Sequence, residues 1–121
     1  MTNIISGMAN AMVNKWPMIC IAGAPDSSLD GKGSFQEFDQ MACAKPVSKF
    51  CARPQSVRDI PGIVEKAVRM SMYGTPGPVY IEMTADVLNG KIEDELEYPP
   101  VVELFSKLTM DTVVRPELVS Q

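Results

Sequence analysis

The chain has no histidine among its 121 residues. That absence removes Ser-His and Cys-His nucleophile activation, imidazole general-base catalysis and every histidine-containing metal site. Cysteine is scarce and unpaired by count: Cys20, Cys43 and Cys51 have no CxxC spacing, so neither a disulfide framework nor a zinc ribbon is indicated. A reducing, intracellular setting is expected. No apolar run approaches the roughly 20 residues a membrane-spanning helix needs; the longest stretch, Met18 to Ala24, is a third of that. Eleven basic against fifteen acidic residues leave a formal charge of −4 and no Lys/Arg cluster that could follow a phosphate backbone, which argues against a nucleic-acid partner. No basic segment precedes an apolar core near Met1, and Val119-Ser120-Gln121 is not a peroxisomal address.

What is present suits a globular domain. Hydrophobic residues make up 45% of the chain and charged residues 21%, with a mean hydropathy of +0.01. Ile4, Ile5, Met8, Ala11 and Met12 recur at helical spacing, which predicts a helix ending near Lys15, before Pro17. Met18 to Ala22 is apolar without alternation, the pattern of a strand covered on both faces. Asp26 to Ser34 then reads as a long polar loop. Phe35, Phe38, Met41 and Ala42 predict a short helix over 35–44, and a short strand is expected over Val47 to Phe50.

The next helix is expected to start with Asp59 as its N-cap, in preference to Ser56, because Pro61 then falls in the first turn. It runs to about Tyr73, with Ile60, Ile63, Val64, Ala67, Val68 and Ser71 facing inward and Gly74 just past its end. Pro78 to Met83 reads as a second buried strand. The alternation of helices and strands predicts an α/β fold on a parallel sheet, incomplete as a doubly wound domain because so few strands leave faces and edges uncovered. Residues 1–88 form the domain in this reading, 89–100 an acidic linker ending in Tyr98-Pro99-Pro100, and 101–121 the start of a following domain or a tail.

Chemistry concentrates in Gly33-Ser34-Phe35-Gln36-Glu37-Phe38-Asp39-Gln40. Glu37 and Asp39, two apart, cannot share a helix face as an acid/base pair, and as readily serve as solvated acids at a helix start. The Gln36 amide can donate and accept, so it can orient a polar ligand without titrating, or simply pack. Lys49, Arg53 and Arg58 could attract an anionic ligand or be solvated surface. Gly74-Thr75-Pro76-Gly77-Pro78 leads from helix to strand, so it is a turn and not a phosphate cradle. The methionines are expected to pack the core, and Cys43 and Cys51, with no histidine beside them, to be inert.

Five segments agree in order with one family. They are Asn3 with Gly7-Met8-Ala9-Asn10-Ala11 and Asn14-Lys15-Trp16-Pro17; the Phe35-Gln36-Glu37 segment; Lys49-Phe50-Cys51-Ala52-Arg53-Pro54; Asp59-Ile60-Pro61; and Tyr73-Gly74-Thr75-Pro76-Gly77-Pro78-Val79-Tyr80-Ile81-Glu82. Over about residues 1 to 90 the chain resembles thiamine-diphosphate-dependent enzymes of the acetolactate synthase and oxalyl-CoA decarboxylase group, with the 2-hydroxyacyl-CoA lyase branch nearest.

The resemblance implies the second half of a three-layer α/β/α domain that holds the aminopyrimidine ring of thiamine diphosphate. It implies Asn3 and Gln36 as cofactor contacts, with no catalytic or metal-binding residue in this stretch. The resemblance further implies a lyase that cleaves a 2-hydroxyacyl-CoA to an aldehyde and formyl-CoA in fatty acid alpha-oxidation. It would use Mg2+ with the cofactor, act as a homo-oligomer, and reside in peroxisome or cytoplasm. The family's glutamate and its metal and diphosphate motif are expected to lie outside this chain, which is therefore expected to be inactive alone. An oxalyl-CoA decarboxylase or acetolactate synthase relative, and a non-catalytic interaction module marked by an exposed apolar patch, are the alternatives.

Overall fold

The computed structural model describes residues 1–93 and 98. Half of the expected linker, residues 94–97, 99 and 100, and all of residues 101–121 lie outside the described residues.

A 3-10 turn at Thr2–Ile4 runs into α1, Ile5–Asn14, whose buried residues Met8 and Ala11 share one face. Lys15 ends the helix in the left-handed region at φ 60, and its N–H reaches back to the Ala11 and Met12 carbonyls. Pro17 bars continuation, and β1, Met18–Ala24, follows. After the long loop come α2, Gln40–Ala44, and a 3-10 turn at Lys45–Val47 that carries Pro46. β2 is Phe50–Ala52, α3 is Ile60–Met72, β3 is Pro78–Thr84 and α4 is Ala85–Asn89.

The sheet has the order β1-β3-β2, with both pairs parallel. β3 is the central strand, and all seven of its residues are buried. One face of the sheet, carrying Cys20 and Tyr80, packs with Met8 of α1 and Ala44 of α2. On the other face Val79, Ile81 and Met83 pack against Ala67, Ile63 and Val64 of α3. The three α/β/α layers and the parallel sheet are those the sequence predicts.

Several local expectations change. β1 is not covered on both faces: Cys20 and Ala24 are buried, but Ile21 on the α3 side is 59% exposed, because β1 lies at the edge and α3 centres on β3. The helix expected over 35–44 begins only at Gln40, since the Asp39 carboxylate accepts from Ala42 N–H as an N-cap and leaves Phe35 and Phe38 outside. The strand expected at Val47–Phe50 sits later, because Pro46 holds Lys45–Val47 in a 3-10 turn.

Asp59 is the N-cap of α3, as the sequence places it, though its carboxylate turns back instead of bonding into the helix. Ser56 adds a cap one turn earlier. It closes a capping box with Asp59 around a 3-10 turn, Val57–Asp59, that feeds α3, with the Asp59 carboxylate accepting from Ser56 N–H at 2.9 Å. Pro61 still falls in the first helical turn, where its missing N–H is harmless. At the far end Gly74, at φ 67, supplies the left-handed residue the sequence places there. On the inner face of α3 Met70 joins the apolar cluster, and Val68 does not.

Candidate functional site

The polar loop between β1 and α2 is built by its own carboxylates. The Asp26 side chain accepts from Ser28 N–H at 2.9 Å, closing a turn over Ser27–Leu29. The Glu37 carboxylate folds back to accept from the N–H groups of Gly31 and Ser34, the latter at 2.8 Å. Gly31 and Gly33 supply left-handed backbone at φ 80 and 73. Between them and α2, Gln36 takes φ 66, a conformation that a non-glycine residue holds only where its surroundings insist on it. The backbone N–H groups of Ser34 and Gly31 hold the Glu37 carboxyl below its ordinary range. Glu37 and Asp39 are thus both engaged with backbone N–H groups, one in the loop and one at the start of α2.

This turn presents Gln36 to a cleft of about 180 Å³ lined by Met1, Thr2, Gly23, Gln36, Phe38 and Gln40. Gly23 faces Gln36 closely: a Cβ there would lie 4.0 Å from Gln36 Oε1. Gln40, which the sequence places in the polar segment without a role of its own, is 4% exposed. Its Nε2 donates to the Gly23 carbonyl at 3.0 Å, and its Oε1 accepts from the Tyr80 hydroxyl at 3.3 Å. Burial, followed by the charge of Glu82, pushes the Tyr80 phenol well up, so it remains a neutral donor. The spacing of Gln40 from Tyr80 in sequence gave no signal of this contact. Asn3, the other expected contact, is exposed on the turn before α1 and does not line the cleft; its neighbour Thr2 does.

The basic residues are committed elsewhere. Arg53 Nε donates to Glu82 Oε2 at 2.8 Å and its Nη1 to Asp30 Oδ2 at 3.2 Å, tying the loop to the central strand. The Glu82 hydrogen bond chiefly raises the Arg53 pKa. Glu82 is fully buried, and its Oε1 has no hydrogen-bond partner. Lys49 Nζ donates to the Tyr73 carbonyl at 2.8 Å, and burial lowers its pKa. Arg58 lines a separate cleft with Asp86 and Lys91.

The family described as "Thiamine pyrophosphate enzyme, N-terminal TPP binding domain" matches residues 1–43. Every residue lining the Gln36 cleft falls inside that match. The chain carries part of a thiamine pyrophosphate enzyme N-terminal domain.

Curated relatives agree over a wider span. The chain is 38% identical to "2-hydroxyacyl-CoA lyase 1" of Homo sapiens over 120 residues, covering 92% of this chain and 21% of that protein. It is 48% identical to the protein of the same name from Mus musculus over 82 residues, 68% of this chain and 14% of that protein. It is 36% identical to "Acetolactate synthase large subunit" of Haemophilus influenzae over 105 residues, 87% of this chain and 18% of that protein. The chain spans between about a seventh and a fifth of the length of the curated relatives it matches.

Thiamine pyrophosphate, or thiamine diphosphate, is the cofactor the family implies. A cleft of about 180 Å³ is below the ~300 Å³ at which pockets begin to enclose a whole drug-sized ligand, so it suits one substituted ring and not the entire cofactor. The Gln36 amide and the apolar Phe38 and Met1 match a flat heterocycle that both donates and accepts. The fit therefore holds for the ring. Among the described residues no group of three or more His, Cys, Asp or Glu side chains is placed to hold a metal ion.

Proposed function

We propose that this domain forms the aminopyrimidine side of a thiamine diphosphate site in a 2-hydroxyacyl-CoA lyase. The observation that carries the reading is the left-handed Gln36 turned into the cleft opposite Gly23, inside the segment that matches the cofactor-binding family. Gln36 would use its amide to orient the ring through one donated and one accepted hydrogen bond, with Phe38 and Met1 as the apolar wall. Asn3, one residue from Thr2, is the second proposed contact. When bound, the cofactor supplies the electron sink for carbon–carbon cleavage.

The identity to lyase-named relatives supports a 2-hydroxyacyl-CoA substrate, cleaved to an aldehyde and formyl-CoA in fatty acid alpha-oxidation. Mg2+ and the diphosphate are, in this proposal, held by residues beyond those described, and the working enzyme is a homo-oligomer in peroxisome or cytoplasm. None of the side chains lining the cleft is ionisable, so they supply no acid or base to move a proton. The chain by itself is accordingly expected to turn over no acyl-CoA. An acetolactate synthase-like or oxalyl-CoA decarboxylase activity is the nearest alternative, and the Haemophilus influenzae relative supports the former.

The test is a titration of the purified chain with thiamine diphosphate, followed by amide NMR shifts. Shifts confined to Gln36, Gly23 and their neighbours, and lost in Gln36→Leu, are expected. Binding that survives Gln36→Leu unchanged, or shifts centred on the Arg58 cleft, would overturn the assignment. A non-catalytic interaction module is favoured by a different observation, the exposure of Val13, Trp16, Ile21 and Phe35. Light scattering of the chain mixed with a full-length relative tests it: a mixed oligomer supports the module, and its absence counts against it.

A further inference from the structure

Gln40 stands out because it is a buried amide with both ends used by groups from different strands. Gly23 lies near the end of β1, Tyr80 lies on β3, and Gln40 itself opens α2. The orientation of the amide is dictated by chemistry. A backbone carbonyl can only accept, so Nε2 must face Gly23; Oε1 then faces Tyr80, whose hydroxyl must donate. Burial keeps that phenol protonated, so the donor is always available.

The same Gly23 forms the wall across from Gln36, and Gln40 lines the cleft with both. We propose that Gln40 is a positioning residue for the Gln36 cleft, its amide fixing the Gly23 wall and the start of α2 against Tyr80 so that the gap accepts a flat heterocycle. This rests on the aminopyrimidine reading of the cleft and adds to it the residue that sets the gap.

The alternative, that Gln40 only fills space, is separable by Gln40→Met, which keeps length and volume and removes the amide. The full chain, labelled with nitrogen-15, is titrated with thiamine, which has the aminopyrimidine ring and no phosphate. With Gln40→Met the Gly23 carbonyl and Tyr80 hydroxyl lose their partner, and thiamine affinity is expected to fall about tenfold. The backbone amide signals of Gly23 and Gln36 should shift before any ligand is added.

Wild-type affinity in Gln40→Met, or unmoved Gly23 and Gln36 signals, would overturn the proposal. Tyr80→Phe provides a second variant should Gln40→Met fail to fold. It removes the one donor that fixes the amide, and it should move the Gln36 signal and lower affinity less than Gln40→Met does. An unmoved Gln36 signal in Tyr80→Phe would equally overturn it. Failure of the wild type to bind thiamine would sink the aminopyrimidine reading instead, and the unliganded signals would still decide whether Gln40 sets the gap.

Discussion

Arg53→Leu should be the most damaging single substitution outside the apolar core. Arg53 is the partner of Glu82, whose side chain is 1% exposed on the central strand and already has one oxygen without a hydrogen bond. Removing one member of a buried pair typically costs about 3–5 kcal/mol, because the other is left uncompensated. Two features lower that figure. The Arg53 side chain is 30% exposed, and it meets Glu82 through a single N–H contact and not a bidentate fork. A loss of about 2–3 kcal/mol is therefore expected. With a urea dependence near 1.5 kcal/mol per molar, the midpoint should fall by roughly 1.3–2 M.

Urea unfolding of the whole chain, followed by circular dichroism, reads this directly. The double variant Arg53→Leu/Glu82→Leu removes both charges and should recover most of the loss, since an apolar pair is often as stable as a buried ionic one. A loss below about 1 kcal/mol in Arg53→Leu, or a double variant as unstable as the two single losses added together, would refute the reasoning.

Three further outcomes are expected. The neighbouring Thr84 hydroxyl, although it makes no hydrogen bond of ordinary geometry, and the Ser27 N–H and hydroxyl, which donate to Oδ1 at 3.2 and 3.3 Å, hold the Asp86 carboxyl down to about 2 from an ordinary 3.8. Its contribution is thus fully present above about pH 4 and lost as pH falls toward 2, so Asp86→Asn should flatten that part of a stability–pH curve by lowering stability at neutral pH and leaving it nearly unchanged near pH 2. Cys20 is 3% exposed and burial pushes its thiol up, so in the native chain it should react with an aromatic disulfide reagent far more slowly than Cys43 and Cys51, which mass mapping would show. A Cβ at Gly90 would collide with the Val57 side chain and crowd the Val87 and Asp86 carbonyls, so Gly90→Ala should destabilise by about 1–3 kcal/mol in a thermal melt.

The elements whose pattern is local were legible in the sequence. α1 and α3 announce themselves by apolar spacing and end at Lys15, Pro17 and Gly74, and β3 by its β-branched and aromatic run. β1 was legible as a strand, but its place at the sheet edge was not, because an apolar run looks the same whether or not a helix covers both faces. The start of α2 was misplaced because Phe35 and Phe38 mimic helical spacing, while Glu37 satisfies the loop backbone and Gln36 turns left-handed. Gln36 was legible as a candidate through its amide chemistry and its family segment. Gln40 was not, since its meaning comes only from Gly23 and Tyr80, which the fold alone brings to it.

The strand order has a consequence for how the chain reaches this state. β3 pairs with both β1 and β2, and those two strands do not pair with each other. During synthesis, then, the pairings among the described strands cannot begin until β3, the last of them, emerges. Met18 of β1 waits for Pro78, about 60 residues later, which at 5–20 residues per second is roughly 3–12 s. For that interval an apolar, uncharged segment, Met18–Ala24, lacks β3, its pairing partner among the described residues. Parallel pairing at such separation also makes refolding slow compared with helical chains of similar size. Yield from the ribosome should thus depend on what shields β1 in those seconds, and slower elongation before codon 78 should lower it.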